Sequence, residues 1–277
     1  GSDLFLTNSF GGNALRLKLH DLGNRAFEIS KISAEIARNV ADSYNKSIFV
    51  AGSVGPTGEI MHPIGELSHE IAVEVFHEQA QGLKEGGVDL IWVETISAPE
   101  EFRAAAEAFS YIDLPWVGTM SFDTAGRTMM GTSPTAMVDL ISSIPNKPIA
   151  FGANCGTGAS DLLRTIQEFE KSSSDSTLVA KGNAGIPKYV NGNIEYDGTP
   201  ELMAKYAIMA RNSGAKIIGG CCGTKPEHLL AMRASLESEN LGTSPSLEQV
   251  ELEIGPFSSP FRSEIKRGTS KRMRRKI

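Results

Sequence analysis

The chain reads as an α/β protein, a (β/α)8 barrel of the TIM type whose first strand lies upstream of residue 1. Seven strand-like runs alternate with helix-like segments, which is the pattern of a parallel sheet with crossover helices. Polar and glycine-rich residues gather at the C-terminal end of run after run: Thr7-Asn8, Gly52-Ser53, Glu94-Thr95, Ser121, Asn154-Cys155, Asn183 and Cys221-Cys222. An open doubly wound sheet concentrates its ligand groups at one switch point, whereas a closed barrel draws on nearly every strand end. Seven strands are one short of closure, so an eighth is expected before Gly1.

The strands are read at Leu4–Ser9, Ile48–Val54, Asp89–Thr95, Trp116–Phe122, Ile149–Cys155, Leu178–Asn183 and Lys216–Cys222. The first helix, Ala26–Tyr44, places Ile29, Ile32, Ile36 and Val40 on one face at spacings of three and four. The second, Ser68–Glu85, has Ser68 as its N-cap and stops at Gly86-Gly87. Pro99–Tyr111, Pro134–Ser143, Ser160–Lys171, Pro200–Ser213 and Pro226–Glu237 complete the set. Four of these open on proline, whose missing N–H is harmless in the first turn. Residues 1–237 are therefore assigned to the barrel. Residues 238–277, rich in Ser, Gly and Pro and ending in basic residues, are expected to be a linker and a flexible tail.

Composition narrows the function classes. At 40 % hydrophobic and 22 % charged residues the chain is an ordinary soluble globule, and no run of eighteen apolar residues suggests a membrane span. From Arg262 to Ile277 the net charge is +7, which leaves −13 for the rest of a chain whose total is −6. A body that acidic is a poor nucleic-acid binder. Three cysteines without a framework spacing argue for a reducing compartment, and the cytoplasm is expected. A homo-oligomer is compatible with all of this.

The cysteines carry the strongest chemical signal. Cys155 stands in FGANCGTG, and Cys221 and Cys222 in IIGGCCGT. Three thiolates fill three corners of a tetrahedral zinc site and leave the fourth open, as in a catalytic site. Neighbouring strand residues face opposite ways, so Cys221 and Cys222 can share an ion only if the chain turns there. Gly219, Gly220 and Gly223 supply that freedom. Buried thiols without metal, or redox-active ones, are the other readings.

In order along the chain, GSVGPTG, EGGVDLIWVETISAPEE, SFDTAGRTMMG, GANCGTG, KGNAGIP and GGCCGTKPEHL resemble the homocysteine S-methyltransferase family. The resemblance covers about residues 1–237 and is strongest to bacterial betaine–homocysteine methyltransferases. It implies a zinc-dependent enzyme on a (β/α)8 barrel that makes methionine from L-homocysteine and a small charged methyl donor. Cys155, Cys221 and Cys222 are then the metal ligands through which catalysis runs. A thiol of pKa about 8.5 is mostly protonated at neutral pH, and coordination to zinc removes the proton. The resulting thiolate attacks a methyl group on a positively charged donor. Glycine betaine is the favoured donor, with dimethylsulfoniopropionate or S-methylmethionine suited to the same chemistry. A module that takes methyl from a corrinoid protein is the alternative.

The resemblance further implies that Glu94 holds the substrate ammonium and that Thr7 lines the same pocket; Asn183, at a strand end, is read either as bonding the carboxylate or as a turn-forming residue. A trimethylammonium donor calls for aromatic faces, and Phe10 and Phe122 are the candidates, with Tyr189 beyond them. Thr95 and Gly11 stand where animal betaine enzymes have tyrosines, so the binding box of those enzymes does not transfer as a unit. Trp92, two before Glu94, is read as core, and His228 as a packing or capping residue near the cysteine pair. GSVGPTG lacks the lysine of a phosphate loop and is read as a loop lining the substrate.

Overall fold

The computed structural model describes residues 1–190 and 192–259. Its elements run β1 (Leu4–Leu6), α1 (Ala14–Leu17), α2 (Ala26–Asp42), β2 (Phe49–Val54), α3 (His69–Glu85), β3 (Leu90–Ile96) and α4 (Pro99–Ser110). Then come β4 (Trp116–Met120), α5 (Pro134–Ser143), β5 (Ala150–Cys155), α6 (Ala159–Ser172), β6 (Leu178–Gly182), β7 (Pro187–Val190) and β8 (Asn193–Tyr196). The series closes with α7 (Pro200–Asn212), β9 (Ala215–Gly220), α8 (Pro226–Ser238) and α9 (Leu247–Glu253). Side-chain oxygens of Ser68, Ser133 and Thr199 cap α3, α5 and α7 by accepting from backbone N–H groups of the first turn.

Seven strands pair in parallel in the order β1-β2-β3-β4-β5-β6-β9. That order never reverses, so the sheet has no switch point and winds as a barrel does. It is an incomplete barrel: among the described residues, β1 and β9 each pair on one side. An ion pair between Asp3, just before β1, and Arg233 of α8 ties the two ends together at 2.5 Å.

Alternation along the strands creates two cores. Outward residues pack under the helices in one large cluster. Inward residues Ala51, Leu90, Trp92, Val117, Ala150 and Val179 form a second, joined by Leu4, Leu6 and Ile217. One pleat further toward the strand ends the interior turns polar. Ser53, Glu94, Thr119, Asn154 and Lys181 are all buried there, each two residues beyond Ala51, Trp92, Val117, Gly152 and Val179. This polar layer is the floor of the site.

Two expectations need correction. The Ile-Ile-Val stripe of α2 is not its packed face: Ile32, Ile36 and Val40 are exposed, while Ala26, Ser30, Ser33, Ala34, Ala37 and Ala41 are buried. The reason is close approach by α3. A Cβ added at Gly82 would sit 2.4 Å from the Phe27 carbonyl oxygen, and one at Gly86 2.5 Å from the Ala34 Cβ. Small residues win that contact because branched side chains do not fit it.

The second correction concerns the segment after α8. Residues 239–259 fold back along α6 and α7 rather than forming a linker. Gln167 donates to the Pro245 carbonyl at 2.8 Å, Arg211 to those of Glu239 and Asn240, and Ser160 to that of Gly255. Arg164 stacks over Phe257 at 4.9 Å, and Val250 of α9 is buried. The basic tail beginning at Arg262 lies outside the described residues. No described helix is long and apolar enough to cross a membrane.

Gly82→Ala should destabilise the fold by about 1–3 kcal/mol, as overpacked contacts do. Ile36→Ser should change stability by less than about 0.5 kcal/mol, as at other surface sites. Urea midpoints with unchanged slopes would check both. A larger loss for Ile36→Ser would return the stripe to a packed face.

Candidate metal centre

Cys155 ends β5 and the Cys221-Cys222 pair follows β9, with β6 between them. Their sulfurs lie within 4.8 Å of one another, and Cys155 Sγ is 3.8 Å from Cys222 Sγ. Cys155 and Cys221 are half-buried and Cys222 is exposed. The chain does turn at the adjacent pair. Cys221 N donates to the Gly182 carbonyl at 2.7 Å, Thr224 N donates to the Cys221 carbonyl, and Ala184 N donates to the Cys222 carbonyl at 2.9 Å. Gly223 takes φ +76°, and a Cβ there would meet the ring of Tyr196 at 2.4 Å. Cys155 itself adopts φ 61°, a left-handed conformation that an L-residue holds against a cost of about 1–3 kcal/mol.

Two buried asparagines hold this geometry. Asn183 Nδ2 donates to the Gly156 carbonyl at 2.9 Å, while its Oδ1 accepts from Cys222 N at 3.1 Å. One amide thus ties both cysteine loops together. Asn154 Oδ1 accepts from Thr119 Oγ1 at 2.7 Å and from Thr95 N at 2.8 Å, and its Nδ2 donates to Thr95 Oγ1 at 2.8 Å. Those bonds pin Thr95 at φ 63°, an outlier for a β-branched residue. The same Nδ2 approaches Cys221 Sγ at 3.8 Å.

The cluster shares its negative charge unevenly. Hydrogen bonds from Cys155 and then Cys221 hold the Cys222 thiol far below the ordinary range, with Tyr196 and the charge of Lys181 adding to the effect. Cys155 is pushed up by the same contacts with Cys221 and Cys222, and then by burial. Tyr196 is pushed up to about 12, by burial first and then by its hydrogen bond to Cys222. Three sulfurs this close could hold a metal ion. The spacing suits zinc, since Zn–S bonds of about 2.3 Å in a tetrahedron put sulfurs roughly 3.8 Å apart.

In the buried polar layer, Glu94 accepts from Ser53 Oγ at 2.7 Å and from Lys181 Nζ in a buried ion pair. Thr7 Oγ1 accepts from Ser53 N at 2.9 Å and shares a hydrogen bond with Ser9 Oγ, so it stands behind Ser53. Trp92 is buried, its indole N–H donating to Thr119 Oγ1 at 3.2 Å. Phe10 lies half in solvent over Gly55 in the loop after β1. Phe122 does not join it. Its ring packs edge-on against Phe169 of α6 at 5.6 Å, in the layer between sheet and helices. Asn183 likewise has its amide engaged by the two cysteine loops. His228 caps its helix, its Nδ1 accepting from Lys225 N and its Nε2 bonding the Gly198 carbonyl, both at 2.9 Å. In GSVGPTG, Thr57 fastens the loop to buried Glu101 by its N–H at 2.7 Å and its hydroxyl at 2.6 Å.

A model of the homocysteine S-methyltransferase family matches residues 1–236. The chain belongs to that family. It is a methyltransferase, and its fold has solved counterparts. Similar structures include the metallated form of the homocysteine methyltransferase MmuM from Escherichia coli, at 24 % identity and a TM-score of 0.70 over 84 % of this chain and 80 % of that one. The oxidized form of the same protein gives 24 % and 0.69 over 84 % and 80 %. The apo form gives 22 % and 0.66 over 85 % and 80 %. At that identity the likeness supports the architecture.

In this methyltransferase the sequence reading passed over Ser53, Asn154, Lys181 and Tyr196 as site residues. The first three carry a usable signal, since each is a polar residue in phase with inward apolar residues of its strand. Tyr196 carries none. It arrives on the β7–β8 hairpin, whose residues are almost all exposed and so show no alternation.

Removing the tie between the cysteine loops should loosen the metal. Asn183→Ala is expected to weaken zinc affinity about 10–100-fold, as outer-shell substitutions do, with competition against a chromophoric chelator as the measurement. Metal binding by thiols displaces their protons, so zinc uptake near pH 7 should release protons, and affinity should fall as pH falls. A weakly buffered titration with a pH indicator reads the release directly.

Proposed function

We propose that this methyltransferase transfers a methyl group from a small cationic donor to the sulfur of L-homocysteine, giving methionine, with zinc held by Cys155, Cys221 and Cys222. The observation that carries the reading is the meeting of three thiols at a solvent-open strand end, with a buried carboxylate, Glu94, paired to Lys181 on the strand between them. Bound there, zinc would supply a substrate thiol stripped of its proton and kept electron-rich at neutral pH.

The protein's own residues then have definable tasks. Glu94, oriented by Ser53, offers a carboxylate to the substrate ammonium from inside the barrel mouth. Asn183 and Asn154 keep the sulfurs converged, which limits reorganisation when the substrate enters. The Trp92 and Thr119 wall excludes water from the inner side. The donor approaches from the exposed Cys222 side, where the ring of Tyr196 stands against the cysteine turn and offers an aromatic group to a positive charge. A new S–CH3 bond forms as the donor's N–C or S–C bond breaks. The bonding pair leaves with the donor as a neutral amine or sulfide. Anion and cation are both consumed in the step, so charge is neutralised as the bond forms.

Glycine betaine is the first donor to test, with dimethylsulfoniopropionate and S-methylmethionine beside it. Zinc-loaded protein incubated with homocysteine and each donor should form methionine. Activity confined to methylcobalamin or a corrinoid protein would replace the small-donor reading. Cys155→Ser should remove both bound zinc and turnover. Glu94→Gln should retain zinc and raise KM for homocysteine by about tenfold or more, as loss of a charge-assisted bond does.

A further inference from the structure

Lys181 is a buried cation for which the reaction described above has no task. It is 9 % exposed, its partner Glu94 is 6 % exposed, and its Nζ lies 5.4 Å from the centre of the Trp92 ring. Lysine is seldom buried unless paired, and a buried ion pair is weak support for stability, since its desolvation offsets most of its attraction. An ammonium has three donors. Among the described residues, the hydrogen bond of Lys181 Nζ goes to Glu94 Oε2, which leaves capacity for another acceptor.

Its placement matters as much as its charge. On the β6 ladder Lys181 is in register with Asn154 on one side and Gly219 on the other. Those residues lie one before Cys155 and two before Cys221. Lys181 therefore stands one rung below the sulfur cluster. In homocysteine, three bonds separate the sulfur from the carbon that carries both ammonium and carboxylate. A substrate anchored by sulfur at the cysteines brings both charges to this level. The thiolates and Glu94 make the surroundings anionic, so an incoming carboxylate needs a cation beside it. Asn183 is engaged by the cysteine loops.

We propose that Lys181 takes the α-carboxylate of the amino-acid substrate while Glu94 takes its ammonium, the resting ion pair opening to admit a zwitterion. This assignment rests on the reading of homocysteine as the methyl acceptor. Lys181 is then a specificity residue: it selects thiols that carry a carboxylate on the amino-bearing carbon.

Calorimetric binding to the zinc-loaded chain, without any methyl donor, tests it. The probes are L-homocysteine, 3-mercaptopropylamine, which lacks the carboxylate, and 4-mercaptobutyrate, which lacks the ammonium. The wild type should bind homocysteine about 10–100-fold more tightly than 3-mercaptopropylamine, the range of one charge-assisted hydrogen bond. Lys181→Met should erase that gap, weakening homocysteine and leaving 3-mercaptopropylamine unchanged or tighter. Zinc content and melting temperature report whether the variant is folded, and Lys181→Gln repeats the test with a polar head if Met is not tolerated. Equal losses for both amines would reduce Lys181 to a structural partner of Glu94. A wild type that binds 3-mercaptopropylamine as tightly as homocysteine overturns the assignment whether or not any variant folds. If homocysteine itself does not bind the wild type while zinc does, the substrate reading fails and this assignment falls with it.

Discussion

Three sulfurs within 4.8 Å of one another create an electrostatic problem that the surrounding residues are arranged to hold in check. Three neighbouring thiolates would repel, and the cluster settles for one strongly stabilised anion at Cys222 with a reluctant donor at Cys155. A divalent cation bound among them would relieve that repulsion. Backbone conformation and side-chain amides direct the sulfurs toward one another. The left-handed turn at Cys155 and the turn after β9 aim the sulfurs together, and the Asn183 amide bridges the two loops.

The second asparagine extends that order across the mouth. Asn154 fixes Thr95 in a strained conformation immediately after Glu94 and touches Cys221 from the same amide group. The end of β3, where the carboxylate sits, and the sulfur cluster at β5 and β9 are therefore positioned by one side chain. Ser53 and Thr7 brace Glu94 from the opposite flank. The result is a gradient along the barrel axis: an apolar plug, then a hydrogen-bonded polar layer, then soft sulfur ligands at the rim. An amino acid with a terminal thiol has that same order of groups, charged at one end and soft at the other.

Much of this was legible in the residues. All seven parallel strands lie where apolar runs end in polar residues, and β5 and β9 stand two apart, so Cys155 was expected beside the adjacent pair. Prolines and hydroxyl caps marked most helix starts to within a residue. The α2 helix was misread because large apolar residues at helical spacing outweighed the small ones that pack against α3. The segment after α8 was misread because arginine, glutamine and serine side chains hold its backbone carbonyls, and such bonds leave no periodicity. Strand parity does distinguish Phe122 from the site: it is out of phase with Val117 and Thr119, and its ring meets Phe169 among the helices.

The sequence by itself determined the winding of the sheet, the polar strand ends and the meeting of three thiols at two of them. Those follow from alternation, glycine placement and the chemistry of cysteine, all local properties. Tertiary structure decided which strand-end groups face one another. It brought Lys181 onto Glu94, carried Tyr196 to Cys222 on an exposed hairpin, and engaged the Asn183 amide between two loops. The physical reason is that these pairings depend on ladder register and on left-handed backbone at Cys155 and Thr95. Such turns reverse where a side chain points, and packing from several strands enforces them.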